Sequence, residues 1–189
     1  MTPAIPHPIL EAEAVQIAYR VVESYGGDIN FYRLAKILYL IERETWIATG
    51  SPAMGGTYFS LEDGPMVSET TNAANNDLRS LPAWGEHLKT VPSVHGGSEV
   101  RTVKPPGRGM ISDAVLRIVD DVVKKTRRMK KDELKKLCHD LGEFKEPPKG
   151  GRIPIEAEEI LEAGGWDTER IEAEKRQAAL WGKLEAVLC

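Results

Sequence analysis

Apolar and polar positions recur with helical spacing along residues 30–50, NFYRLAKILYLIERETWIATG. Advancing about 100° per residue gives this stretch one wide apolar arc, which predicts a helix that is buried along most of its length. The arc consists of Leu34, Ala35, Leu38, Ile41 and Trp46. Asn30 can cap the first turn by accepting a backbone N–H group, and Gly50 can take the left-handed conformation that ends the last turn. We therefore expect the rest of the chain to pack around this central helix.

Glu42 falls inside the apolar arc of the central helix. An unpaired carboxylate in that position would cost several kcal/mol, so it requires hydrogen-bond donors. The donors can come from another side chain, such as His139, or from exposed backbone N–H groups at a helix start, such as the one opened by Gly64-Pro65. We favour the backbone groups at Gly64-Pro65, because they would tie the central helix to the strand and turn that follow it.

The same patterning predicts the other elements of the chain. Because the link Asp28-Ile29 is very short, the first helix should fold back on the central helix as a hairpin. The predicted helices are LEAEAVQIAYRVVESYGG, Met66–Leu78 with a frayed second half, the stretch after the capping residue Ser112, Lys131–Leu141, Ile155–Ala163 and Thr168–Leu188. The predicted strands are Thr57–Leu61, Glu86–Val91 and Glu99–Val103. This order predicts a mainly α (α+β) fold: a compact helical domain with a small antiparallel β-sheet.

A proline- and glycine-rich stretch, EPPKGG at residues 146–151, is the best linker in the chain. We expect residues 1–146 to form one domain and residues 147–189 to form the linker and a C-terminal helical appendage. The last helix carries an apolar stripe, Ile171, Ala178 and Trp181, that must pack on the body or on another molecule.

Charge is distributed unevenly along a chain whose net charge is only −4. Lys124–Lys136 is rich in bases and Glu156–Glu174 is rich in acids, so the two runs could face each other, although each is more typical of a solvated helix face. The small net charge argues against nucleic-acid binding as a main function. No stretch has the length of a membrane span and no secretory signal is visible, so we expect a cytoplasmic protein without a membrane partner.

A search for chemical motifs finds no candidate catalytic group from the residues alone. There is no glycine-rich phosphate loop, no pair of histidines at metal-ligand spacing and no Gly-x-Ser-x-Gly elbow. Neighbouring His139 and Asp140 point about 100° apart on a helix, so they do not form a dyad. The two cysteines, Cys138 and Cys189, suggest neither a disulfide framework nor a metal site. We expect no metal, no cofactor and no catalytic residue.

The order KILYLIERETWIATGSPAMGGTYFSLEDGPMVSE resembles the signature of the Panacea, or SocA-like, antitoxin domain family. The resemblance consists of a Lys-Leu-Leu-Tyr-type helix with an acid-Arg pair, a Gly-x-Pro turn, a strand, and a Gly-Pro pair that opens a helix. These features fall on Lys36, Tyr39, Glu42, Arg43, Gly50, Pro52, Tyr58, Gly64 and Pro65. The later stretch DELKKLCHD, with His139, is similar to a leucine-rich helix of the family that ends in a histidine.

The resemblance, which spans about Pro8 to Phe144, implies an antitoxin that binds and neutralises a cognate protein toxin encoded nearby, in bacteria or their phages. At least one similar protein also delivers its toxin to an ATP-dependent protease. Asp63 stands where the family commonly has an aromatic residue, and Met66-Val67 replaces the usual Val-Pro. The toxin's identity therefore does not follow from the resemblance.

Two sets of site residues follow from the helix pattern together with the resemblance. The candidate toxin-binding residues are Tyr32, Lys36, Arg43, Tyr58 and Met66. The structural signature residues are Glu42, Gly50, Gly64, Pro65 and His139. The first three toxin-binding candidates form a stripe beside the buried arc, although we slightly favour a structural role in which Lys36 and Arg43 pair inside the fold. Two other functions compete with the antitoxin: an enzyme using Glu42, Arg43 and His139, and a phage-associated structural or interaction protein.

Overall fold

The central helix extends over Phe31–Thr49 in the computed structural model, which describes residues 4–107 and 109–188, without the side chains of residues 181–188. Both predicted ends are confirmed. The Asn30 side chain accepts a hydrogen bond from the Arg33 backbone N–H at 3.3 Å, and Gly50 has the left-handed conformation with φ +74°. Glu42 and Trp46 are buried with the apolar arc, so the helix forms the middle of the core.

Two small sheets and several helices surround the central helix, which packs against the helices Glu11–Ser24, Asp113–Thr126, Lys131–His139 and Ala157–Ala163. In chain order the elements are α1 Glu11–Ser24, β1 Asp28–Asn30, α2 Phe31–Thr49, β2 Tyr58–Ser60, β3 Met66–Val67, α3 Ser68–Ala74, α4 Trp84–His87, β4 Leu88–Pro92, β5 Ser98–Thr102, α5 Asp113–Thr126, α6 Lys131–His139, β6 Ile153–Ile155, α7 Ala157–Ala163 and α8 Thr168–Leu188. The predicted mainly helical α+β fold is confirmed.

The first sheet has the antiparallel order β1-β5-β4. The predicted hairpin of β4 and β5 is present, with Thr90 opposite Val100. The short link between the first two helices is itself a strand, since Ile29 pairs with Val100 of β5. This strand was not predicted, because a single buried residue between two exposed ones gives too short a pattern to recognise.

The second sheet has the antiparallel order β3-β2-β6. Tyr58 of β2 lies opposite Val67 of β3 and Ile155 of β6. The expectation of a helix from Met66 is wrong at its start, because Met66 and Val67 are extended and the helix begins at Ser68. The helix ends at Ala74, where the run of asparagines begins to dominate the sequence.

Residues 153–171 pack into the body of the protein. Ile155, Ile160, Leu161 and Trp166 belong to the same buried cluster as the central helix. The Trp166 indole N–H donates to the Ile47 carbonyl at 3.0 Å. These contacts correct the expectation that the chain beyond residue 147 is an appendage, because β6 and α7 supply part of the core. Trp181 of the expected apolar stripe lies outside the described side chains.

The predicted cap of α5 is confirmed, since Ser112 Oγ accepts from the Val115 backbone N–H at 3.3 Å. Helix α6 ends at His139, slightly before the predicted end. The basic and acidic runs do not pair with each other among the described residues, where Lys145 and Lys175 instead meet the acids of α7 and α8. Within that part of the chain, no helix is both long and apolar enough to cross a bilayer.

Candidate functional site

The Glu42 carboxylate is fully buried and accepts four hydrogen bonds. Oε2 accepts from the backbone N–H groups of Ala53 at 3.1 Å and Met54 at 2.7 Å. Oε1 accepts from the Gly55 N–H at 3.0 Å and from the Tyr58 hydroxyl at 2.6 Å. Backbone groups are therefore the main donors, as expected, but they belong to the loop after α2. The expectation that Gly64-Pro65 supplies them is wrong.

Aromatic rings enclose the Glu42 cluster. The Tyr58 hydroxyl, which donates to Glu42, accepts a hydrogen bond from the Trp46 indole N–H at 3.0 Å. The His7 ring stacks on Tyr58 with a centroid distance of 4.9 Å, and its Nδ1 lies 2.6 Å from the Gly56 carbonyl oxygen. Tyr58 is fully buried by these contacts. It was expected to face a toxin, and its burial corrects that expectation, because its hydroxyl and ring are both occupied inside the fold.

Two opposing effects set the pKa of the Glu42 carboxyl. Burial is the larger effect and raises the pKa, while the hydrogen bonds from Tyr58, Met54, Gly55 and Ala53 lower it, so that the pKa is raised from 4.5 to about 7. Burial and the neighbouring Glu42 carboxylate together raise the pKa of Tyr58 far above its usual value, so its hydroxyl remains a donor. The cluster changes its charge near neutral pH.

Loss of the Glu42 proton should make the folded protein less stable as pH rises from about 5 to 8. A carboxyl whose pKa is higher in the folded than in the unfolded state contributes stability below the unfolded pKa and loses it through the folded pKa. A shift from 4.5 to about 7 corresponds to a loss of about 3 kcal/mol. Urea unfolding followed by circular dichroism across this range measures the change.

The same unfolding measurements on two variants test whether Glu42 causes the pH dependence. Glu42→Gln removes the buried carboxyl, and Glu23→Gln is the control, since Glu23 is an exposed acid on α1. At low pH, Glu42→Gln should be less stable than the unmodified chain by about 1 to 3 kcal/mol, because an amide leaves at least one buried N–H unpaired. Its stability should then vary little between pH 5 and 8. If the free energy of unfolding of Glu42→Gln changes with pH as steeply as that of Glu23→Gln, Glu42 is not the group responsible for the pH dependence.

Lys36 ties the central helix to the turn at Gly64-Pro65. Its ammonium donates to the Gly64 carbonyl at 2.7 Å and to the Pro65 carbonyl at 3.0 Å, and the residue is only 3% exposed. Burial lowers the pKa of Lys36 to about 8. The expectation that Lys36 lies on an open stripe is therefore wrong, and the alternative in which it is held inside the fold is correct.

Gly64 fits closely against α6. Its φ is +97°, and a Cβ at this position would lie 3.2 Å from Cys138 Cβ and 3.3 Å from His139 Cδ2. Glycine therefore satisfies both the backbone conformation and the close approach of the helix. The signature residues Gly64, Pro65 and His139 are thereby brought together with Lys36 in one packed junction between α2 and α6.

Arg43 and Tyr39 converge on a glutamate that the sequence did not single out. Arg43 Nε donates to Glu143 Oε1 at 2.8 Å, and the Tyr39 hydroxyl donates to the same oxygen at 3.1 Å. Glu143 is 2% exposed, and its Oε2 has no hydrogen-bond partner among the described residues. No pattern distinguishes Glu143 from nearby Glu146 in the sequence, so only the folded chain identifies it.

The groups of the alternative enzyme are not assembled into a site. Glu42 is hydrogen bonded to the loop at residues 53–55, and Arg43 is paired with Glu143. His139 packs instead against the Phe144 ring at a centroid distance of 4.3 Å.

Tyr32, Arg43 and Met66 are each partly exposed, so three of the candidate toxin-binding residues reach the surface.

Comparison with family models identifies one match to this chain. The family described as "Antitoxin SocA-like, Panacea domain" matches residues 34–144, more than half of the 189 residues. The matched segment contains both the Glu42 cluster and the Lys36 junction. Comparison with curated proteins and with solved structures gives no match.

Proposed function

Because the chain belongs to the SocA-like antitoxin family with a Panacea domain, we propose that it neutralises a cognate protein toxin by direct binding in the bacterial cytoplasm. The family match over residues 34–144 is the observation that carries this proposal. The burial of Glu42 supports a binding protein over an enzyme, since the fold itself supplies all four hydrogen-bond donors to the carboxylate and leaves no exposed face for a substrate.

In this proposal the buried polar groups hold the shape of the outer surface. Glu42 fixes the loop after α2, and Lys36 fixes the turn before β3. Neutralisation then occurs by steric occlusion of the toxin, with Tyr32, Arg43 and Met66 as candidate contacts. Lys36 and Tyr58 act on the toxin surface only indirectly, through the backbone that they position.

Co-expression is expected to restore growth that a toxin arrests. The chain would be produced together with each product of the reading frames that flank its own, after finding which of these products stops growth alone. A toxic product should lose its effect and should co-purify with the chain. Failure to restore growth for every toxic neighbour, or an absence of toxic neighbours, would contradict the antitoxin proposal.

The toxin level in the same cells separates occlusion from delivery to a protease. Occlusion predicts that the toxin persists at an unchanged level as a complex with the chain. Delivery to an ATP-dependent protease predicts that the toxin disappears when the chain is present and returns when the protease is absent. Immunoblotting of the toxin after translation is stopped distinguishes the two outcomes.

A further inference from the structure

The end of α5 and the start of α6 form a strongly cationic surface, which we call the cationic shelf. Residues 124–131 contain six Lys or Arg side chains and no acid. All six are exposed. The shelf consists of Lys124, Lys125, Arg127, Arg128, Lys130 and Lys131. About a quarter of the 25 basic residues of a chain with net charge −4 therefore lie within eight consecutive residues at the junction of α5 and α6.

No shelf residue takes part in an ion pair with another described residue, whereas Lys135 and Lys136 of the following turns pair with Asp63 and Asp140. Among the acids of α7 and α8, Glu159 pairs with Lys145, and Glu158 and Glu172 pair with Lys175. Six unpaired cations at this density repel one another, so an acidic partner would relieve a cost that the isolated chain carries.

Two of the shelf cations lie over aromatic rings. The Arg127 guanidinium lies 5.9 Å from the Tyr25 ring centroid, and the Lys131 ammonium lies 5.0 Å from the Tyr32 ring centroid. A cation over an aromatic face is held in place without losing its charge. Tyr32, a candidate toxin-binding residue from the sequence, is thereby continuous with the shelf.

Concave surfaces open beside the shelf on both sides of α5. Between α2 and α5 lies a groove of about 240 Å³ that is lined by Lys125 of the shelf and by Leu40, Ala48, Ile118, Val122, Glu44 and Asp121. On the α1 side lies a cavity of about 570 Å³ that is lined by Lys124, Arg127 and Arg128 together with Ser24, Asp120 and Val123. Charged rims around apolar floors are typical of protein–protein contacts.

We propose that the cationic shelf is the docking surface for an acidic segment of the toxin, with an apolar side chain of that segment in the groove between α2 and α5. This inference rests on the proposed antitoxin function. A protein segment fits better than a nucleic acid, because the groove beside the shelf has a mainly aliphatic floor that suits an apolar side chain and offers nothing to a phosphate group. Its acids pair with the shelf while its apolar side chain covers Leu40 and Val122.

Charge reversal of the shelf tests this proposal. The variant Lys124→Glu, Lys125→Glu, Arg128→Glu changes three shelf residues that have no aromatic contact among the described residues. The control, Lys89→Glu, Lys104→Glu, Lys149→Glu, makes the same charge change at exposed positions elsewhere. Association with the toxic neighbour that the unmodified chain neutralises would be measured at low and high KCl.

The shelf variant should associate with the toxin at least about tenfold more slowly than the control at low salt, because long-range attraction governs this rate. Its rate should also lose most of its dependence on KCl. Glutamates near the C-terminal end of α5 interact unfavourably with the helix dipole and could destabilise the fold. A second variant with glutamine at the same three positions removes the shelf charges without this effect. It should show a smaller decrease of the same sign.

Three other outcomes would each overturn a specific claim. Equal association by the shelf variant and the control removes the shelf as the docking surface, while the antitoxin function stands. Failure of the unmodified chain to bind or neutralise any toxic neighbour removes both claims. Unchanged neutralisation by the shelf variant, together with lost binding to a short DNA duplex that the unmodified chain binds, identifies a nucleic-acid surface and overturns the toxin contact.

Discussion

A chain that ends at Lys149 should lose its cooperative unfolding transition. The truncation removes β6, the outer partner of Tyr58 in the second sheet, together with the helix that follows it. The buried residues that it removes are Ile155, Ala157, Ile160, Leu161, Trp166 and Ile171. Deleting a single large buried side chain costs about 2 to 5 kcal/mol, so losing this set exceeds the whole stability of about 5 to 15 kcal/mol of a typical domain.

Thermal melting followed by circular dichroism measures the effect of this truncation. The matched control ends at Ala179, so that it keeps β6, α7 and the packing of Trp166 on the end of α2. The control should melt cooperatively, and the Lys149 truncation should not. A Lys149 truncation that melts within a few degrees of the control would restore residues 147–189 as a separate appendage.

Lys36→Glu should destabilise the fold by more than about 3 kcal/mol. The change places a carboxylate against the carbonyl oxygens of Gly64 and Pro65, which lose their shared donor and face a like partial charge. Lys36→Met should cost less, because it leaves the two carbonyls unpaired but introduces no charge. Both effects differ from those expected of a surface substitution, which usually changes stability by less than about 0.5 kcal/mol.

Denaturant unfolding of both Lys36 variants gives the two free energies directly. Lys89→Glu is the control, since it makes the same charge change at an exposed position of β4. Toxin neutralisation should fail in Lys36→Glu only under conditions where the variant is unfolded. Full stability with lost neutralisation would instead assign Lys36 to the toxin contact that the sequence first suggested.

The central helix was predictable because all its determinants are local. The apolar arc, the Asn30 cap and the Gly50 terminus lie within 21 consecutive residues, 30–50. The need of Glu42 for donors was also predictable from its position in the arc. The location of those donors was not, since Ala53, Met54 and Gly55 contribute only backbone N–H groups that no side-chain pattern reveals.

The errors arise where distant segments meet. Helical periodicity places Lys36 beside the arc, but only the return of the chain at Gly64-Pro65 covers it. Strand β6 contains Pro154, which usually argues against a strand and is accepted here because β6 lies at the edge of its sheet. Glu143 lies in the turn after α6 and has a role only because Tyr39 and Arg43 reach it from the central helix.

The pairing of β2 with β6 also determines when a newly synthesised chain can complete its fold. These strands are separated by roughly 90 residues, so the second sheet cannot close until β6 has been translated. At synthesis rates of about 5 to 20 residues per second, this imposes a delay of about 5 to 20 seconds after β2 is made. During that interval the nascent chain holds an unfinished sheet edge, and protection from a toxin produced at the same moment would begin only afterwards.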